Sequence, residues 1–284
     1  MLIRGEMDLR PLGLACHSRS MLAFTDIHCH VVPGIDDGAT DLSVSLAMAS
    51  QAVADGTSTV IATPHQLGGN RQITAAAIRD GVDSLNRELK AAAIPLTVLP
   101  GADVRIEPEL PRLLKSGDVV TLGDRGRHVL LELPHDVYVP LEGLLKALQK
   151  QGLTGILSHP ERNRGLQAAP QILDGLVAQG CLLQITAGSL LGSFGSTARK
   201  IADLCVQKRL VHFVASDAHD PVRRPFGLSA AFDAVVALAD QPLAEACCRE
   251  NPARVAAGDA VSQAFPPRPR FSVFRGRFTS RTGG

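Results

Sequence analysis

Between residues 24 and 215 the sequence alternates seven times between a short β-rich run and a stretch of helical periodicity, which narrows the available folds sharply. Parallel strands need long crossovers, usually helices, so repeated strand-helix units imply a parallel sheet. The β-rich runs are 24–30, 58–63, 96–99, 128–132, 155–158, 181–185 and 211–215. In the first helical stretch Leu42, Leu46, Ala49 and Val53 recur at i, i+4, i+7 and i+11, with Asp41 as N-cap and Gly56 as stop. Others cover 73–93, 108–115, 141–151, 172–179 and 197–208. Seven units predict a barrel of the TIM type with one unit fewer than eight. An open doubly wound sheet is the alternative, but no Gly-rich dinucleotide loop follows the first strand.

Three segments are expected: an N-terminal extension over 1–20, flexible and cytosolic in character, with Met21 as a candidate start; a barrel over 21–265; and a disordered tail over 266–284. The tail carries Arg268, Arg270, Arg275, Arg277 and Arg281 and no acid, with too little apolar material for a core. With Lys+Arg 29 against Asp+Glu 28, net charge gives no reason to expect nucleic acid. No apolar run reaches the roughly 18 residues a membrane span requires. Six cysteines without CxxC spacing fit a reducing cytoplasm better than a disulfide framework.

The chemistry collects at strand ends. In the first run, strict alternation places Asp26, His28 and His30 on one face and Ile27 and Cys29 on the other, which reads Cys29 as core. His65, Asp103, Glu132, His159, Asp217 and His219 fall at or just past the ends of later runs, with Asp37 in the first loop. Loops at that end of an α/β barrel converge on one site. Five imidazoles and four carboxylates exceed what one tetrahedral ion uses, so the inventory implies more than one metal. An O/N donor set without cysteine favours Mn²⁺, Fe or Zn²⁺ over a thiolate zinc site. Clustered metals serve in-line displacement at phosphorus and lower the pKa of bound water. Phosphoester hydrolysis follows as the reaction class. Arg162, and Arg223 or Arg224, lie on the same face to bind phosphate. No GxSxG, Walker or Cys-nucleophile motif competes, which favours direct attack by activated water without a covalent intermediate.

The stretches DIHCHVVPGIDDG, ATPH, GADVRI, LLELP, ILSHPERN and VASDAH followed by RRP, with NPARV near the end, run in order from Asp26 to Val255. In these the chain resembles the PHP (polymerase and histidinol phosphatase) superfamily, and within it the bacterial manganese-dependent protein-tyrosine phosphatases encoded with capsule and exopolysaccharide genes. The resemblance implies a distorted (β/α)7 barrel, a three-metal site holding Mn²⁺, and a phosphotyrosine-bearing substrate protein, a bacterial tyrosine kinase of polysaccharide assembly. It makes His28, His30 and Asp217 ligands of one ion, with Asp103 bridging to a second that Glu132 and His159 complete. Asp37, His65 and His219 hold the third, while Arg162 and Arg224 grip the phosphoryl group. One position departs: Asp103 stands where the family usually has Glu, and a carboxylate one methylene shorter is a changed bridge. Three alternatives stay open: a small-metabolite phosphatase of the histidinol-phosphatase kind, an amidohydrolase, and a weakly active metal-binding barrel with a regulatory role.

Overall fold

The computed structural model of the chain describes residues 23–262. The expected extension (1–20) and basic tail (266–284) lie outside the described residues, as do the outermost positions of the expected barrel. Among the described residues nine strands occur: β1 (Phe24–Cys29), β2 (Thr57–Ala62), β3 (His65–Gln66), β4 (Thr97–Pro100), β5 (Asp103–Arg105), β6 (His128–Glu132), β7 (Thr154–Ser158), β8 (Leu182–Thr186) and β9 (Phe213–Ala215). They pair in parallel as two sheets, β1-β2-β4 and β3-β5-β6-β7-β8-β9.

Two interruptions reconcile nine strands with seven units. β2 and β3 are halves of one stave broken at Thr63-Pro64, and β4 and β5 are halves of another broken at Gly101-Ala102. Pro64 has no amide to give the ladder, so the pairing cannot run through it. The barrel closes where β1 meets the segment after β9: Cys29 bridges Ala218, Asp217 N–H donates to the His28 carbonyl (2.8 Å), and His30 N–H donates to the Ala218 carbonyl (2.8 Å). This is a distorted TIM-like barrel.

Every stave contributes to one interior cluster. Ile27, Ile61, Leu130, Ile156, Leu182 and Phe213 are fully buried there, with half-buried Leu99 supplying the remaining stave. Two residues further along β6 and β8, on the same face, come Glu132 and Gln184, so a packed apolar floor lies beneath the barrel mouth. Val255, from a helix at Asn251–Ala257, joins that floor. The sequence reading assigned no element to this region, nor to the helix Leu228–Leu238 before it.

Outside the barrel, helix Leu42–Ala54 starts as expected, with the Asp41 side chain accepting from Val44 N–H, and lays Met48, Ala49 and Ala52 against Cys29 and Val60. Helix Ala75–Ala91 begins after the capping side chain of Thr74, and buries Ile78, Val82, Leu85 and Leu89. Each such leucine is worth about 1.5–3 kcal/mol in burial.

β1 departs from strict alternation. Its register against β2 shifts between Asp26 and Cys29, three residues facing two, which is a β-bulge. Ile27 therefore lines the barrel interior, and of that pair Cys29 alone faces the helix layer, fully buried with its Sγ 3.6 Å from the Ile61 carbonyl oxygen. Asp26 does not join the two histidines either: its carboxylate accepts from the backbone amides of His28 and Ser216. The reading of Cys29 as core matches the structure, while the shared face of Ile27 and Cys29 does not.

Candidate metal centre

The bulge aims both histidines of β1 up into the mouth, with their Nε2 atoms 3.3 Å apart. Asp217 Oδ1 lies 3.2 Å from His28 Nε2 and 3.4 Å from His30 Nε2. Asp103 sits at the hub, its Oδ2 3.7 Å from His28 Nε2, 3.7 Å from His159 Nε2 and 3.6 Å from His65 Nδ1. Glu132 Oε2 is 3.7 Å from His65 Nδ1, and Asp37 Oδ1 is 3.5 Å from the Nε2 atoms of both His65 and His219. All nine residues singled out in the sequence thus meet at one mouth.

Their donor atoms fall into four sets, each within 4.8 Å: His30, Asp37, His65 and His219; His28, His30 and Asp103; His28, His159 and Asp217; His65, Asp103 and Glu132. The sets overlap in part with the partition the resemblance implies: Asp37, His65 and His219 share one set, and the donor atoms of His28, His30 and Asp217 lie within 3.4 Å of one another, while the second group is drawn differently. Glu132 meets His65 and Asp103 rather than His159, and His159 meets His28 and Asp217. Asp37, Asp103 and Asp217 each lie between two or more imidazoles, so neighbouring sets share donors.

Outer partners fix the rings. His30 Nδ1 lies 2.6 Å from Asp36 Oδ2, His28 Nδ1 2.9 Å from Gln184 Oε1, and His219 Nδ1 3.0 Å from the Asp217 carbonyl. In each case the outer nitrogen donates, which turns Nε2 toward the centre. Gly38 makes the first contact possible: a Cβ there would lie 2.2 Å from the His30 carbonyl oxygen, so only glycine lets the turn fold back and deliver Asp36 and Asp37. His159 and Asp217 themselves hold left-handed backbone, at φ 33° and 52°. Such conformations in non-glycine residues concentrate at functional sites.

Charge is tightly coupled across the cluster. Burial pushes His28 down to about 4. Burial acts the same way on His30, but hydrogen bonds to Asp217 and Asp36 outweigh it and raise that ring to about 10. Burial, with Asp103 beside it, lifts Glu132 to about 7. Burial alone would raise Asp103 and Asp217 too, yet the surrounding imidazoles hold both below the usual carboxylate range. Both carboxylate oxygens of Asp103, with His65 Nδ1 and His219 Nε2, are buried without a hydrogen-bond partner. Buried polar atoms left unpaired at one centre call for a ligand, and oxygen and imidazole donors without sulfur suit divalent cations. The residues present fit such a group.

The arginines complete the rim. Arg162 and Arg224 both donate to Asp217 Oδ2, Arg224 Nη2 at 2.5 Å. Of the two neighbours open in the sequence, Arg224 is the one at the site; Arg223 is 88% exposed and pairs with Asp220. Sequence reasoning missed Asp36, Gln184 and Phe194. Asp36 was signalled by its place beside Asp37, and Gln184 by being the lone amide in the apolar run of β8. Phe194, 4.3 Å from the Arg162 guanidinium carbon, gave no signal.

Fold and site together define a TIM-like barrel with a multinuclear-type His/Asp/Glu cluster and an arginine pair at its C-terminal mouth. Residues 24–257 match the family described as capsular polysaccharide synthesis, CpsB/CapC, and the chain belongs to that family. It is 43% identical over 203 residues to the tyrosine-protein phosphatase YwqE of Bacillus subtilis, covering 71% of this chain and 79% of that one. It is 30% identical over 209 residues to the putative tyrosine-protein phosphatase CapC of Staphylococcus aureus, covering 73% and 82%. Among solved structures it superposes with a TM-score of 0.80 and 38% identity, covering 84% of this chain and 96% of the other, on a chain from the crystal structures of YwqE from Bacillus subtilis and CpsB from Streptococcus pneumoniae, described as unique metal-dependent tyrosine phosphatases. A phosphotriesterase homology protein from Escherichia coli, at 13% identity and TM-score 0.54, shares the fold.

Proposed function

We propose that this chain is a metal-dependent phosphomonoesterase that hydrolyses phosphotyrosine in a protein, a bacterial tyrosine kinase of polysaccharide assembly being the substrate. The observation that carries this reading is the unpaired donor cluster around Asp103 with the Arg162 and Arg224 pair at its edge. The relatives at 43% and 30% identity, both described as tyrosine-protein phosphatases, one of them putative, support the phosphotyrosyl substrate.

His28, His30, Asp37, His65, Asp103, Glu132, His159, Asp217 and His219 would hold up to three divalent ions; the mixed oxygen and imidazole donors suit Mn²⁺, Fe or Zn²⁺, and the family resemblance favours Mn²⁺ among them. Bound there, such ions supply charge neutralisation and an activated water. Asp36 and Gln184 hold the His30 and His28 rings in the orientation this needs. Arg162 and Arg224 carry N–H donors now spent on one oxygen of Asp217, and a phosphoryl dianion offers them three. Among the described residues cysteine chemistry is disfavoured: Cys29, Cys181, Cys205, Cys247 and Cys248 are all fully buried, and burial pushes the Cys181 and Cys205 thiols up to about 12. The free thiols of the described residues support a cytoplasmic setting.

The test is hydrolysis of p-nitrophenyl phosphate and a phosphotyrosyl peptide by purified protein with Mn²⁺. Phosphate release from both, abolished by a chelator and restored by Mn²⁺, is expected. Metal-loaded protein that leaves both untouched would sink the proposal. A far larger kcat/KM for a small alkyl phosphate would move the substrate to the metabolite class.

A further inference from the structure

The loops after three successive strands bring Arg162, Phe194 and Arg224 together. Arg162 lies in the turn after β7, Phe194 in the segment after β8, and Arg224 in the loop after β9. The guanidinium carbon of Arg162 is 4.3 Å from the centre of the Phe194 ring and that of Arg224 is 5.7 Å away. Both distances lie inside the roughly 6 Å over which an aromatic ring attracts a cation. We infer that Phe194 is the positioning residue of the arginine pair, an inference that rests on the phosphoryl-gripping role proposed above.

The ring is held for this task. Gly188 lies against its edge, and a Cβ there would come within 2.9 Å of Phe194 Cε2, so glycine sets the close approach. The same segment is tied to the Arg162 turn by Glu161, a fully buried carboxylate whose Oε1 accepts from Thr186 N–H (3.0 Å) and Ser189 Oγ (2.7 Å). Arg162 and its platform thus share one anchored unit. A small cleft lined by Gly188, Leu191, Phe194, Asp217, Arg223 and Arg224 lies beside the ring.

The need for a platform follows from Asp217. Two like charges converge on its Oδ2, and that carboxylate holds them together. When a phosphoryl group arrives, the N–H donors move to its oxygens, and Asp217 no longer restrains both side chains. The Phe194 ring keeps the guanidinium groups in place through that exchange, so the arginines enter it ordered. Side-chain entropy that would otherwise oppose phosphate binding is already lost.

The experiment uses the full chain saturated with Mn²⁺ and titrates inorganic phosphate by calorimetry, alongside KM and kcat on p-nitrophenyl phosphate. Phe194→Leu keeps an apolar side chain without the ring face, Phe194→Met repeats that test, and Phe194→Trp keeps the ring. The Leu and Met variants are expected to bind phosphate about 3- to 30-fold more weakly, with KM raised in step and kcat changed less than about twofold. Trp is expected to retain wild-type affinity. Unchanged phosphate affinity in Leu and Met, or a Trp variant as weak as Leu, overturns the inference. Wild-type protein that binds phosphate in this Phe194-dependent way yet hydrolyses no phosphomonoester overturns the proposed function and leaves the positioning role standing.

Discussion

His30 Nδ1 and Asp36 Oδ2 are 2.6 Å apart, and the carboxylate sits on the side of the ring away from the cluster. The same Asp36 accepts from the backbone amides of Gly38 and His65, so it binds the first two ligand-bearing segments to each other. Carboxylate-histidine pairs of this kind raise ligand basicity and fix ring orientation. Asp36→Asn is therefore expected to weaken Mn²⁺ affinity about 10- to 100-fold with the fold intact. Competition against a chelating dye reads this directly, and wild-type affinity in the variant would show the contact to be incidental.

Metal is expected to stabilise the protein measurably. Buried donors without partners cost free energy that a bound cation recovers. At a hundredfold excess over Kd the gain is about 2.7 kcal/mol, or about 5–10 °C in melting temperature for a domain of this size. Scanning calorimetry with and without chelator tests it; coincident transitions would count against any buried metal site.

Asp103 is fully buried and touches three imidazoles at 3.6–3.7 Å, which leaves little room around it. Asp103→Glu is expected to overpack the hub, lowering metal-free stability by about 1–3 kcal/mol without raising metal occupancy. Denaturant titration and metal analysis check this. A simultaneous rise in occupancy and turnover would instead mark Asp103 as a weakened bridge.

Adjacent arginines should separate cleanly. Arg224→Ala removes a donor from Asp217 and from the phosphoryl group, and is expected to cost about 10- to 150-fold in kcat/KM. Arg223→Ala, on a side chain 88% exposed, is expected to change it less than about twofold. Equal losses would mean that the loop after β9 acts by charge alone.

His128, at the start of β6 and remote from the mouth, is held down to about 4 by burial, with Arg127 adding to the effect. Between pH 4 and 6.5 the unfolded chain binds a proton that the folded chain refuses. Stability from this group is thus fully present above about 6.5 and is lost as pH falls toward 4, up to about 3 kcal/mol. His128→Gln is expected to flatten that part of the stability profile relative to wild type, as denaturant midpoints from pH 7 to 5 would record. Parallel profiles would place the proton uptake elsewhere.

Much of this architecture is written in local sequence. Seven units are legible because strand runs end at residues such as Pro64, Pro134 and His159, and because helix starts such as Asp41 carry their own caps. Ligand positions are legible because the ends of parallel strands gather at one mouth. The breaks within two staves were not, since Thr63-Pro64 and Gly101-Ala102 read equally well as strand termini. The β1 bulge was hidden because an inserted residue leaves composition unchanged while resetting which side chains face inward. Left-handed backbone at His159 and Asp217 is imposed by the surrounding structure and has no local mark. Phe194 was invisible for a further reason: its significance lies in two arginines far away in the chain.

The barrel seam has a consequence for how the protein comes into being. His28 and His30 are made early, yet the backbone that pins them belongs to Asp217 and Ala218, almost two hundred residues later. During synthesis the first two ligands must therefore wait, beside the exposed edge of β1, until nearly all of the barrel has left the ribosome. Contacts this remote in sequence close late and slowly. A nascent chain can hold pieces of the cluster but no complete centre, so the closing of the ring and the birth of the site are a single event.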